Sequence, residues 1–146
     1  MGPMLAAVSP LLPDGTLMSF DIKGNQSKVE LENGTVSGGG SSITVDAFKM
    51  PKVKIAVLQN EWTASSGEAV LLSFKGLSHV QTFGCSSAGY CSVNNVYRLY
   101  DGAYIQLTIG EDVDRLGNKY CEDPIPADVE TDMPMEAAKV FLCGDD

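Results

Sequence analysis

The sequence is short of positive charge and of long apolar runs, and each shortage excludes a class of partner. Lys and Arg number 10 against 19 Asp and Glu, so the formal net charge is −9. A chain this acidic repels the phosphate backbone of nucleic acids and anionic membrane surfaces. No apolar run approaches the roughly 20 residues that a membrane-spanning helix needs. We therefore expect neither a nucleic-acid partner nor a membrane span.

Metal ligands are scarce as well. The sequence has one histidine and four cysteines, with no CxxC pair and no Cys/His cluster, so zinc ligands at the usual spacing are missing. Four residues fit positions of a calcium-binding loop, but Leu116 stands where an oxygen ligand belongs, and a hairpin turn accounts for them better. They are Asp112, Asp114, Gly117 and Asp123. We predict neither a metal nor a cofactor.

The cysteines leave one question open. Cys85 and Cys91 are close enough in the sequence to form a disulfide across a short loop in an oxidising compartment. The alternative is four free thiols. The first residues, MGPMLAAVSPLLPDG, have no basic segment and are interrupted by proline, so they do not resemble a signal peptide. We expect the chain to begin within a folded domain.

What is present suits one α/β domain over residues 1–146. Hydrophobic residues make up 44% of the chain, which is enough for a core. The apolar run 53–59 predicts a strand buried on both faces, followed by a helix over 64–77 and a strand over 79–84. A strand, a helix and a strand in this order predict a parallel pair with a crossover.

The flanking regions predict further helices and hairpins. Asn33-Gly34 and Asp101-Gly102 are strong hairpin-turn signals. The glycine-rich stretch 38–42 predicts a flexible connector. The remaining predicted elements are a helix over 3–12 that Pro10 ends or kinks, a strand over 17–22, an edge strand over 43–48, a hairpin over 96–110, an extended piece over 125–129 and a closing helix over 135–143.

Between the central strand and the central helix lies TASSGE, in which one serine could be a nucleophile. Ser65 stands at a strand-to-helix turn, near the positive end of the helix dipole and its unpaired N–H groups. Those donors would stabilise an oxyanion, and the backbone N–H of Ser66 is the nearest of them. The same residues also match S-x-x-E, a capping box in which Glu68 is the partner. The local pattern leaves both roles open.

The wider sequence resembles the C-terminal processing (tail-specific) serine protease family. The resemblance rests on VKIAVLQNEWTASSGEAV, on GCSSAGYCSVNNVYRLYDGAYIQLTIGEDVDRLGNKY and on PMLAAVSPLLPDGTL. It spans most of residues 1–130 and is least clear over 24–50. It is strongest toward the branch of tricorn-type proteases and interphotoreceptor retinoid-binding protein modules, with nisin-resistance proteases as a nearer relative.

The resemblance implies a fold and a set of roles. The fold is part of a crotonase/ClpP-like superhelical α/β core with added β-hairpins. Ser65 matches the nucleophile, with the Ser66 N–H at the oxyanion. Tyr90 stands where one branch has a lysine base, so the base would be the histidine of the other branch, which comes from outside this chain. Glu122 or Asp123 matches the carboxylate that orients this histidine, although a solvated acidic turn explains both residues too.

The resulting expectation is a fragment of a serine endopeptidase that is inactive alone because its upstream, histidine-bearing part is absent. His79 is expected to be a polar strand-end residue. The substrate would be a peptide or the C-terminal segment of a protein, and the family implies an extracytoplasmic, bacterial setting. One alternative is a non-catalytic ligand-binding module on the same fold, as in the retinoid-binding relatives. A structural domain in which Ser65 only caps a helix is the other.

Overall fold

The computed structural model describes residues 1–50 and 52–144. It contains an antiparallel sheet, a smaller parallel sheet and helices that pack on them. In chain order the elements are α1 (Gly2–Val8), a 3-10 turn (Ser9–Leu11), β1 (Gly15–Ile22), β2 (Asn25–Glu32), β3 (Thr35–Gly38), β4 (Ser41–Thr44), β5 (Ile55–Gln59), α2 (Ser66–Phe74), β6 (Val80–Gly84), β7 (Ser92–Arg98), β8 (Tyr104–Asp114), β9 (Lys119–Tyr120), β10 (Val129–Glu130) and α3 (Pro134–Cys143).

The parallel sheet has the order β10-β6-β5. Strands β5 and β6 run parallel, with Ile55 opposite Val80 at one end and Gln59 opposite Gly84 at the other. Helix α2 connects them, so the predicted crossover is confirmed. The helix ends earlier than predicted, at Phe74, because Gly76 takes a left-handed φ of 80° that leaves the helical path.

The antiparallel sheet has the order β4-β3-β2-β1-β8-β7, and β9 pairs with β8. Both predicted hairpin turns are confirmed. Asn33 and Gly34 take φ values of 48° and 79°, as a tight two-residue turn requires. The prediction of a flexible connector over 38–42 is wrong. Gly39 and Gly40 form the tight turn between β3 and β4, since glycine adopts their left-handed backbone without strain.

The prediction that the strand over 53–59 is buried on both faces is also wrong. Strand β5 lies at the edge of the parallel sheet, and Leu58 is 43% exposed. A nearly continuous apolar run is ambiguous because it also suits a strand with one covered face. Helix α3, which matches the predicted closing helix, packs against β5 and β6.

The main core lies where α1 and α2 pack against the antiparallel sheet. Leu5 from α1, Leu72 from α2 and Leu17 from β1 are fully buried there. Burying each such side chain contributes roughly 1.5–3 kcal/mol, so this core fixes the position of α2. In the part of the chain that the structure describes, none of the helices has the length and apolar character to span a membrane.

Candidate active site

The turn before α2 places Ser65 at the carboxyl end of β5. Ser65 is the N-cap residue of α2, is exposed, and takes φ 52° and ψ −112°. A left-handed φ is uncommon for a residue that is not glycine, and such strain is concentrated at functional sites. The backbone N–H of Ser66 is among the first four of the helix, which have no acceptor within it. This turn therefore presents a hydroxyl beside a backbone donor that has no acceptor within the helix.

The carboxylate of Glu68 holds this turn in place. Its side chain is fully buried, and it accepts four hydrogen bonds. The Ser65 N–H donates to Oε2 at 2.6 Å, so the predicted role of Glu68 as a partner at the start of the helix is confirmed. The other donors are the Ser87 hydroxyl at 2.6 Å and the N–H groups of Gly89 and Tyr90 at 2.7 and 2.9 Å. Glu68 thus joins the Ser65 turn to the loop 85–91.

A third segment is tied to the same loop. The Ser87 N–H donates to the Ile125 carbonyl at 3.0 Å, and the Ile125 N–H donates to the Ser87 hydroxyl at 2.8 Å. Ala88 N–H donates to the Thr63 carbonyl at 2.9 Å. At the end of β5, the Gln59 amide donates to the carbonyls of Cys85 and Ile125. Three segments far apart in the sequence therefore meet at the carboxyl ends of the parallel strands.

Ser65 lines a small pocket of about 90 Å³. Asp112, on β8, lines it too, and only 5% of this residue is exposed. Its Oδ1 is buried and, within the described residues, has no hydrogen-bond partner. Burial, with a contribution from the negative charge of Glu68, raises the pKa of Asp112 to about 6. The remaining lining residues are Met1, Phe20, Ser66, Ala69, Tyr90 and Ser92.

Sequence reasoning missed Asp112 as a site residue and considered it only for a calcium loop. The available signal was a carboxylate within a strand that continues the predicted hairpin. In the structure, Asp114 forms the β8–β9 hairpin turn, where its carboxylate accepts the N–H groups of Leu116 and Asn118 at 2.8 and 2.9 Å. The interpretation of this stretch as a hairpin turn is confirmed.

Glu122 and Asp123 lie outside the Ser65 pocket, and both are exposed. Glu122 has a left-handed φ of 59°, and its carboxylate accepts the Thr108 hydroxyl at 2.9 Å. It lines a second pocket of about 430 Å³. Tyr90 and Ser92 line both pockets, so they separate Glu122 from Ser65.

His79 lies at the opposite end of the parallel strands. It immediately precedes β6, and its carbonyl accepts the Ile55 N–H at the start of β5. Ser65 follows the other end of β5, and a five-residue strand spans roughly 15 Å. His79 lines a separate pocket of about 470 Å³ with Leu11 and Leu77. This geometry does not bring the histidine of this chain to Ser65.

Cys85, Cys91, Cys121 and Cys143 are free thiols in the structure. Cys85 is exposed and donates to the Glu61 carboxylate at 3.4 Å. Cys91 is fully buried, and burial together with the charge of Glu68 raises the pKa of its thiol. A thiol that stays protonated is a poor nucleophile, so Cys91 is a core residue.

Comparison with known proteins identifies the class. The sequence profile of the family described as "Peptidase family S41" matches residues 1–131, so the chain belongs to this family. The chain is 44% identical over 140 residues to a nisin-resistance protein from Lactococcus lactis subsp. lactis, covering 94% of this chain and 44% of that protein. The resemblance to the C-terminal processing proteases and to a nisin-resistance protein is therefore confirmed.

Solved structures share the fold. The structure of a lipoprotein from Streptococcus agalactiae matches with a TM-score of 0.76 and 37% identity, covering 97% of this chain and 49% of that one. The photosystem II D1 C-terminal processing protease matches with a TM-score of 0.65 and 19% identity, covering 99% and 36%. The chain is thus a mixed α/β protein similar to peptidase domains, and it spans about half the length of the relatives it matches or less.

Proposed function

We propose that this chain is the C-terminal part of the catalytic domain of a serine endopeptidase of the C-terminal processing type. Family membership supports a peptidase function and a peptide or protein substrate. The observation that carries the proposal is the strained backbone of Ser65 at the start of α2, held by the buried Glu68. The proposed fold is a partial crotonase/ClpP-like superhelical core over residues 1–146.

In the proposed mechanism, the Ser65 hydroxyl attacks the carbonyl carbon of the scissile peptide bond. The Ser66 N–H donates to the oxygen that becomes negative in the tetrahedral intermediate. A histidine from outside this chain takes the serine proton and returns it to the leaving amine. Glu122 or Asp123 orients that histidine. Water then hydrolyses the acyl-enzyme and frees Ser65.

The setting proposed is extracytoplasmic. The similarity to a streptococcal lipoprotein and to a bacterial nisin-resistance protein supports a location in the cell envelope. The substrate proposed is an extended peptide or the C-terminal segment of a protein, which could add a strand beside the Ser65 turn through its backbone. No cofactor is required, since a serine, a base and backbone donors suffice for acyl transfer.

A fluorophosphonate probe tests the assignment of Ser65. The longer protein, containing this chain and the histidine-bearing segment, should be labelled, and Ser65→Ala should abolish labelling. Ser66→Ala is the matched control, because it removes a neighbouring hydroxyl but keeps the backbone N–H. Absence of labelling in the unaltered longer protein would favour the non-catalytic binding module. Peptidase activity of the 146-residue chain alone that depends on Ser65 would contradict an external base.

A further inference from the structure

We infer that the pocket beside Ser65 is a subsite for a positively charged N–H group, with the carboxylate of Asp112 as its acceptor. Three observations carry this inference. Asp112 is 95% shielded from solvent, its Oδ1 has no hydrogen-bond partner within the described part of the chain, and it shares the pocket with Ser65. A pocket of about 90 Å³ has room for a polar group larger than one water molecule.

The energetics favour a cation over a neutral donor. A buried polar atom without a hydrogen bond is costly, and a buried ionised carboxylate without a partner costs more. A neutral donor would satisfy the lone pair but would leave the negative charge uncompensated. A cationic N–H group supplies the hydrogen bond and the opposite charge together, and such charge-assisted bonds are the stronger kind. The aromatic residues Phe20 and Tyr90 also line the pocket and suit a cation.

Asp112 differs from the neighbouring carboxylates in its burial and hydrogen bonding. Glu68 is fully buried and already accepts four hydrogen bonds. Glu122 is exposed and accepts the Thr108 hydroxyl. Asp114 is buried and accepts the N–H groups of its own turn. Among these four carboxylates, Asp112 alone combines burial with an oxygen that has no partner in the described part of the chain, and Asp112 lines the Ser65 pocket.

Two sources can supply the cationic group. One is a Lys or Arg side chain, or the free amine, of a peptide that places its carbonyl at Ser65. The other is the imidazolium of the external histidine, in which case Asp112, in place of Glu122 or Asp123, would be the carboxylate that positions the base. Treating the pocket as a subsite rests on the proposed peptidase function. The binding of a cation by Asp112 does not, so the two can fail separately.

Binding should depend on pH through Asp112. The carboxyl group must be ionised to attract a cation, so affinity should rise between about pH 5 and 7. Other ionisable groups near this position are Glu68 on α2, the thiols of Cys91 and Cys121, and the pocket-lining residues Tyr90 and Met1, the latter being the N-terminal residue. Burial raises the pKa of both thiols, which therefore stay neutral in this range.

The test is an NMR titration of the 146-residue chain, in which the carboxyl carbon of Asp112 is followed against pH. Butylammonium and imidazolium are the two cationic probes, and 1-butanol is the neutral match. We expect a cation to lower the pKa of Asp112, since it stabilises the charged form. We expect 1-butanol to leave it unchanged. A preference for butylammonium assigns the site to a basic substrate group, and a preference for imidazolium assigns it to the catalytic base.

Variants make the result specific to Asp112. Asp112→Asn should weaken the binding of the preferred cation roughly tenfold or more, because a charged acceptor is lost. Glu130→Gln removes the same charge from an exposed carboxylate in a different pocket and should change binding less than twofold. If neither cation shifts the titration of Asp112 in the unaltered chain, the inference is overturned. Equal cation binding by the Asp112→Asn variant would overturn it as well.

Discussion

The residues at the two ends of the parallel strands β5 and β6 differ in their polar contacts and in the pockets that they line. The carboxyl end carries Ser65 with its strained backbone, Glu68 with its four hydrogen bonds, and Asp112, whose Oδ1 has no partner among the residues that the structure describes. The amino end carries His79 beside a pocket with largely apolar walls, where Lys49 is already paired with Asp14 at 3.0 Å. At the first end the backbone of Ser65 is strained and a buried oxygen of Asp112 has no partner within the described residues, whereas the pocket at the second end contains an ion pair. Ligand sites in open parallel sheets likewise lie beyond the carboxyl ends of the strands.

The largest expected effect comes from removing Glu68 at the carboxyl end. Glu68→Ala leaves four donors without their acceptor and opens a cavity, so we expect it to lower the free energy of unfolding by about 3–5 kcal/mol. Urea denaturation measures this change. Glu130→Ala, which removes an exposed carboxylate near the same end, should change stability by less than about 0.5 kcal/mol. Similar losses for the two variants would mean that Glu68 does not hold the site together.

The second effect concerns the pH dependence of stability. Because the pKa of Asp112 is raised to about 6 in the folded chain, from an ordinary value near 4, the folded state binds more protons than the unfolded state between these values. Stability from this group is therefore present below about pH 4 and is lost as the pH rises toward 6, by roughly 2–3 kcal/mol.

The Asp112→Asn variant is the control for this loss of stability with rising pH. This variant cannot ionise, so its unfolding free energy should fall less between pH 4 and pH 7 than that of the unaltered chain. Urea denaturation at several pH values gives both curves. If the two curves of unfolding free energy against pH are parallel, Asp112 does not titrate in this range, and its ionisation does not destabilise the folded chain.

Local sequence patterns predicted much of the fold but only part of the site. The alternation and turn residues at Asn33-Gly34 and Asp101-Gly102 indicate their hairpins directly, and the crossover follows from the order of elements around α2. The Ser65 N–H donor of Glu68 was predicted, but its other three donors could not be, because they lie in a loop about twenty residues away. That Asp112 is buried, with no partner for its Oδ1 within the described residues, likewise depends on how α2 packs against the antiparallel sheet. A local sequence pattern does not predict that packing.

The third effect tests whether the backbone at Ser65 is strained. Glycine adopts a φ of 52° freely, whereas serine and alanine do not. Ser65→Gly should therefore be more stable than Ser65→Ala by about 1 kcal/mol, although both variants lose the hydroxyl. Thermal unfolding of the two variants measures the difference. A Ser65→Gly variant that is the less stable of the two would argue that the turn is unstrained.

The smallest effect is expected at the amino end, from His79→Ala. The side chain is half-buried at the rim of a pocket and makes no hydrogen bond within the described residues, so its loss should change the free energy of unfolding by about 0.5 kcal/mol or less. Because roughly 15 Å of strand separates His79 from the Ser65 turn, fluorophosphonate labelling of the longer protein should be unchanged. A loss of labelling with unchanged stability would mean that His79 reaches Ser65 in the longer protein. It would then be wrong to assign the functional site to the carboxyl end of the strands alone.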